Sequence, residues 1–232
     1  RQLEDDEDGP GRLPAREGEP PSVEITSALR PGQNVRFPGE DFVLGATVEA
    51  AGGSALVVPG DAAEEGTAAR AVEATLARFG RLDCLVAAQG TGTFGPLEGT
   101  RLAEWDAMVR GNLTATYLLC RAVLPPMLAA GRGTIVAVVS LAAVRAIPGC
   151  AAYTASKAGV LGLVRALAAE VRTRGVRVAA LCPGAVDTTF WDGIPGRPDR
   201  SRMLRPEAVA EAALMVAVQP PEAFVEEIVL AP

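Results

Sequence analysis

The chain contains no histidine. That absence removes Ser-His-Asp hydrolysis, histidine-ligated metals and imidazole acid–base chemistry together. Lysine is almost as scarce: Lys157 is the single lysine among 22 basic residues, and the rest are arginine. Ammonium and guanidinium groups are not interchangeable. A chain that uses Arg wherever a surface cation will do therefore marks Lys157 as a place where a compact ammonium matters. Aromatics make up only 4%, the formal net charge is −6 and the pI is near 4.9. No basic cluster is interleaved with aromatics, and the balance of charge argues against nucleic acid or an acidic membrane as a main partner. None of the four cysteines, Cys84, Cys120, Cys150 and Cys182, lies in a CxxC pair. This predicts reduced, mostly buried thiols rather than a disulfide frame or a zinc site. No uninterrupted apolar run approaches the roughly 20 residues that span a bilayer. The acidic, Pro- and Gly-rich start does not read as a secretory signal. The expectation is a cytoplasmic protein with no metal, no nucleic acid and no membrane.

What remains suits one large α/β domain: 232 residues with 49% hydrophobic side chains. Residues 1–33 are rich in charge, Pro and Gly, without apolar periodicity, and read as an irregular arm. The folded domain is expected over 34–232. Its first candidates are a short strand at NVRF and a helix over 41–51 that stops at Gly52-Gly53. Beyond them, apolar runs (SALVVP, LDCLVAA, TIVAVVS, VRVAALC) alternate with helical stretches near 63–79, 102–130, 153–174 and 207–218, before a last strand at 226–230. Apolar strands without two-residue alternation, separated by helices, indicate a parallel sheet covered on both faces. Right-handed crossovers then give a doubly wound fold. Such sheets bind ligands at the carboxyl ends of their strands. Asp61, Gly90, Ser140 and Pro183-Gly184 all fall at strand carboxyl ends.

Tyr153 and Lys157 are four residues apart, which puts them on one helix face. A phenol ordinarily titrates near 10, and a nearby ammonium favours the phenolate. Bringing that value to about 7 requires roughly 4 kcal/mol. Tyrosine would then serve as general acid or base near neutral pH. Ser140 ends the strand TIVAVVS thirteen residues before Tyr153. From that rim its hydroxyl can donate to a carbonyl oxygen as charge develops there.

Over roughly 40–232 the sequence resembles the short-chain dehydrogenases/reductases. The resemblance implies a single-domain, doubly wound Rossmann-type sheet that moves hydride between NAD or NADP and a carbonyl/alcohol pair. Ser140, Tyr153 and Lys157 match the family's catalytic triad, with Lys157 also meeting the nicotinamide ribose. Asn112, in GNLTATY, matches the Asn that holds a water on the proton relay. Pro183-Gly184-Ala185-Val186-Asp187-Thr188 matches the P-G-x-V-x-T segment that cradles the nicotinamide half, with Val186 at the carboxamide and Thr188 at amide or phosphate. Asp61 matches the Asp that holds the adenine amino group. A homodimer or homotetramer, and a small alcohol or ketone substrate, follow from the resemblance alone.

Two departures stand out. Nothing in residues 1–50 matches the T-G-x-x-x-G-x-G loop that lets backbone approach a pyrophosphate. The first βα unit is therefore expected to be degenerate or missing. At the next strand end the family's N-N-A-G is here Ala87-Ala88-Gln89-Gly90, which leaves Ala88 and Gly90 at the adenosine side. Cofactor preference rests on Arg36, Glu40 or Asp41, between which the sequence does not choose. The alternative reading is a non-catalytic relative, a scaffold subunit or a truncated product, unable to bind cofactor.

Overall fold

The structure, a computed structural model, describes residues 22–27 and 54–232 apart from 195, 197 and 221. Strands β1 (Ser22–Ser27) and β2 (Ser54–Pro59) pair in parallel, from Ser22 opposite Ser54 to Ser27 opposite Pro59. Helix α1 (Glu65–Phe79) follows β2 and ends at Gly80, whose φ of 74° closes the helix in the left-handed region. A second parallel ladder runs β3 (Cys84–Ala87), β4 (Gly133–Val138), β5 (Val176–Pro183) and β6 (Glu227–Leu230) in that order. Helices α2 (Leu102–Met108) and α3 (Ala115–Ala130) lie between β3 and β4. Helix α4 (Ala151–Val171) lies between β4 and β5, and α5 (Pro206–Ala217) between β5 and β6. This is the parallel, helix-covered α/β sheet that the apolar runs predict.

One element was not expected. SVEITS forms β1 inside the stretch read as an irregular arm. Its Val23 and Ile25 alternate with polar residues, a two-residue pattern that the charge and proline around it obscure. The NVRF strand, the 41–51 helix, Arg36, Glu40 and Asp41, and all of residues 1–50 except β1 lie outside the described residues.

The core explains the order of the chain. Ile135, Ala137, Val176, Val178 and Ala180 of β4 and β5 are at most 1% exposed and pack against Val160, Val164 and Leu167 of α4 and Val123 and Met127 of α3. The opposite face of the same strands, Val136, Ala179 and Leu181, packs on Ala213 and Val216 of α5. A sheet buried on both faces needs apolar residues at successive positions, which is why these strands read as continuous runs. Arg177 pins α5 from the end of the sheet. Its guanidinium donates to the Gln219 carbonyl at 2.6 Å and to Thr134 Oγ1 at 3.0 Å, and lies over the Phe224 ring.

The helical stretch Leu102–Ala130 is long and apolar enough to cross a membrane by length and composition. Here it is a core element. Met108, Asn112, Leu119, Cys120, Val123 and Met127 are buried, and Cys120, Val123 and Met127 belong to the cluster that joins the sheet to α4. Between α2 and α3 the backbone widens into a π-helical turn, Val109–Thr114, with Asn112 inside it. Such turns re-aim side chains and recur at functional sites.

Candidate active site

The carboxyl ends of β3, β4 and β5 and the first turns of α4 converge on Tyr153 and Lys157. Lys157 is 4% exposed, and its Nζ donates to the Val138 carbonyl at the end of β4 at 3.0 Å. Burial pushes its pKa down from 10.5 to about 8. Tyr153 is half-buried one turn earlier. Burial raises the phenol to about 12, and a hydrogen bond with the Ser140 side chain pulls the other way. Ser140 follows β4 in extended backbone, and its Oγ accepts from Ala142 N at 3.1 Å, which fixes the turn leading towards α4.

The sequence reading had the Lys157 ammonium lowering the phenol. In the structure, desolvation outweighs any such effect and Ser140 is the group that opposes it. The physical reason is burial of the phenol, which sits against the Phe94 and Phe190 rings.

Asn112 is fully buried. Its Nδ2 donates to Thr91 O at 2.9 Å and to Ser156 Oγ at 2.9 Å, and its Oδ1 accepts from Thr91 N at 2.7 Å. Ser156 Oγ in turn donates to the Tyr153 carbonyl at 2.8 Å. One amide thus ties the loop after β3 to the first turn of α4. Gly90 sits between. A Cβ built there would lie 3.1 Å from both Asn112 Oδ1 and Lys157 Nζ, so any larger residue would press on the site.

The remaining expected residues are distributed as follows. Asp61 stands after β2, with Oδ1 accepting from Ala63 N at 2.8 Å and Oδ2 paired with Arg110 at 2.5 Å. Its carboxylate is thus engaged within the protein, a partner that the sequence did not reveal. Ala88 is exposed beyond β3, and Gln89 Nε2 donates to Thr116 Oγ1 at 2.8 Å. Pro183 closes β5, and Gly184 N donates to the Leu230 carbonyl at 2.8 Å. Val186 bridges to Leu204, and Thr188 Oγ1 accepts from Phe190 N at 3.3 Å. The P-G-A-V-D-T segment therefore runs across the carboxyl end of the sheet, as its placement in the chain implies.

Sequence reasoning missed Thr91, Ser156 and Phe94. Thr91 and Ser156 hold Asn112 through contacts that only the tertiary fold creates. Aromatic rings gather beside Tyr153: Phe94 at 5.2 Å between centroids and Phe190 at 6.3 Å, with Trp191 stacked on Phe94 at 5.4 Å. A signal existed for the last. In a chain with two Trp, two Tyr and six Phe, aromatics close to strand carboxyl ends are conspicuous.

A doubly wound parallel sheet thus carries Ser140, Tyr153 and Lys157 at its carboxyl rim, in a Rossmann-like α/β architecture. A short chain dehydrogenase family model matches residues 42–196. The chain belongs to the short-chain dehydrogenase family. D-threitol dehydrogenase of Mycolicibacterium smegmatis is 39% identical over 166 residues, which cover 68% of this chain and 64% of that protein. The chain thus spans a little under two thirds of that relative. The inactive 2-(S)-hydroxypropyl-CoM dehydrogenase 2 of Xanthobacter autotrophicus is 34% identical over 208 residues, 82% of this chain and 89% of that protein. Among solved structures, a metagenomic short-chain oxidoreductase in complex with NADP superposes with a TM-score of 0.74 at 33% identity, covering 91% of this chain and 85% of that one.

Proposed function

We propose that the protein is an NAD(P)-dependent oxidoreductase that interconverts a small alcohol and its ketone or aldehyde, with Tyr153 as the proton donor and acceptor. The observation that carries this reading is the assembly of Ser140, Tyr153, Asn112 and the chain's only lysine around one rim. The residues fit a nicotinamide cofactor. Lys157 has three N–H donors and meets one acceptor, Val138 O, among the described residues, so donors remain for a ribose diol. Gly90 leaves beside it the space that a Cβ would fill. Pro183, Gly184, Val186 and Thr188 line the carboxyl end of β5, where the nicotinamide half would lie, and Asp61, Ala88 and Gly90 line the adenosine side. The relative solved with NADP supports this choice of cofactor.

When bound, the cofactor supplies or accepts the hydride. The protein's own groups do the rest. A phenol at about 12 is protonated at neutral pH, so Tyr153 enters reduction as the donor and gives its proton to the oxygen that gains charge. Ser140 donates to the same oxygen and stabilises it. Lys157, cationic below about 8, stabilises the phenolate left behind and so favours the transfer. Asn112 holds the loop after β3 and the start of α4 in register, which keeps these groups within reach of one substrate atom. Oxidation runs the same steps in reverse.

The substrate is a small-molecule alcohol or ketone. Self-association into a homodimer or homotetramer is supported by apolar side chains left uncovered on the helical layer, Leu102, Trp105 and Tyr117. Four free thiols agree with a cytoplasmic setting.

The test is titration with NADPH and NADH, followed by calorimetry and by quenching of Trp105 and Trp191. Micromolar binding of either is expected. Absence of binding at millimolar cofactor would overturn the reading in favour of a non-catalytic relative.

A further inference from the structure

Two loops and the first turn of α4 meet at Tyr153, and each brings aromatic side chains. Phe94 comes from the loop after β3, Tyr153 from the start of α4, and Phe190 with Trp191 from the segment after β5. Phe94 and Trp191 are stacked, with an interplanar angle of 19° at 5.4 Å. Phe190 meets both nearly edge-on, at 6.2 Å and 5.2 Å. Offset stacks and edge-to-face pairs are the arrangements that ring quadrupoles favour. Phe94, Phe190 and Trp191 are only half-buried. Each therefore keeps uncovered apolar surface next to the proton donor.

The cluster is held in place from several sides. Trp191 Nε1 donates to the Val186 carbonyl at 3.0 Å, which ties the indole to the P-G-A-V-D-T segment. Arg200 is paired with Asp187 and, at 2.6 Å, with Asp192, so it braces both ends of the loop that carries Phe190 and Trp191. Gly95 N donates to Gly149 O at 2.8 Å and joins the Phe94 loop to the loop before α4. A Cβ at Gly92 would lie 2.8 Å from Cζ of both Phe94 and Phe190, so only glycine lets those rings approach the loop so closely. Built from such contacts, the surface is a wall rather than a set of stray side chains.

We propose that Phe94, Phe190 and Trp191 are the specificity-determining wall of the substrate site, and that they select ketones and alcohols whose reacting carbon belongs to, or adjoins, a flat apolar ring system. The wall presents ring faces to a guest within reach of the Tyr153 hydroxyl. A planar hydrocarbon skeleton would cover several faces at once, whereas an open-chain or polyhydroxylated skeleton would leave them wet. This rests on the oxidoreductase reading above.

The experiment compares kcat/KM for 2-tetralone and for 2-butanone with the preferred cofactor in the wild type, Phe94→Leu and Trp191→Leu. Leucine keeps apolar volume while removing the ring face. The wild type should favour 2-tetralone at least a hundredfold. In each variant the ratio of the two kcat/KM values should fall at least tenfold, through KM for 2-tetralone more than through kcat. A wild-type preference under tenfold, or a ratio unchanged in both variants, overturns the wall. If the wild type reduces neither ketone, cofactor titration decides the oxidoreductase reading on its own, and no binding at millimolar NADPH or NADH overturns it. The wall is then judged by calorimetry with 2-naphthol, an unreactive flat alcohol. Binding weakened tenfold or more in both variants upholds it, and equal binding or none overturns it.

Discussion

Asn112 takes both backbone groups of Thr91: its Oδ1 accepts from Thr91 N at 2.7 Å, and its Nδ2 donates to Thr91 O at 2.9 Å. The pairing mimics a rung of sheet, made by a side chain across a π-helical turn. It explains why an amide, rather than a carboxylate or an aliphatic chain, stands at this fully buried position. Only an amide offers donor and acceptor side by side.

Replacing Asn112 with Leu should therefore cost more than its volume suggests. Thr91 N, Thr91 O and the Ser156 hydroxyl would all lose a partner in a buried setting. Each unsatisfied group costs about 1–3 kcal/mol, with some relief from relaxation. We expect about 2–4 kcal/mol lost in urea unfolding, together with lower turnover. A loss below about 0.5 kcal/mol would show that the amide does not hold the loop.

Tyr153→Phe removes one oxygen and leaves the ring against Phe94. Turnover should fall by about 10²–10⁴-fold or more, the scale of general acid–base catalysis, while cofactor affinity stays within about a factor of three. Turnover like that of the wild type would remove Tyr153 from the reaction.

Ser140→Ala tests the electrostatic partner. Removing a single donor to a developing oxyanion costs about 10²–10³ in kcat. The same substitution removes the one hydrogen bond that lowers the phenol, so the alkaline limb of the pH–rate profile should move upward. An unchanged kcat would mean that Ser140 only caps the turn through Ala142 N.

Lys157 makes a prediction about stability. Its folded pKa of about 8 lies below the ordinary 10.5, because burial penalises the charged form. Between about 8 and 10.5 the unfolded chain binds the extra proton, so this group makes the fold more stable as pH rises through that window. The full penalty, about 3 kcal/mol at roughly 1.36 kcal/mol per unit, is present below pH 8. Tyr153 acts in the opposite sense. Its raised pKa withdraws stability between about 10 and 12 as pH climbs. Lys157→Met should consequently be inactive yet more stable than the wild type at pH 7, and should lose the rise in stability between pH 8 and 10. Urea unfolding across that range checks it. A variant less stable at pH 7 would show that the bond to Val138 O outweighs desolvation.

Gly90→Val should place carbon atoms against Lys157 Nζ and Asn112 Oδ1. We expect cofactor binding weakened at least tenfold by calorimetry, with circular dichroism retained. Affinity like that of the wild type would remove Gly90 from the binding surface.

Much of this molecule can be read from its residues for identifiable reasons. Strands β4 and β5 are buried on both faces, so they appear as uninterrupted apolar runs, and the Tyr153–Lys157 spacing is local. Strand β1 was missed because its alternation is only six residues long and lies among charges and prolines. The engagement of Asp61 by Arg110 joins positions 49 apart, and no local pattern foretells it. The bond from Asn112 to Thr91 spans 21 residues and depends on the widened helical turn. The aromatic wall draws on two loops far apart in the chain, the one after β3 and the one after β5. Such contacts are set by where the sheet delivers its strand ends, and this emerges only once the strands are ordered.

The burial of the sole lysine has a practical consequence. Protein grown with isotope-enriched lysine would carry one side-chain reporter, and that reporter sits on the Val138 carbonyl at the centre of the site. A single ammonium resonance, followed against pH and added cofactor, would register proton uptake and ligand arrival without assignment and without any engineered probe. The composition that denies this chain other lysines makes it a one-signal instrument for its own chemistry.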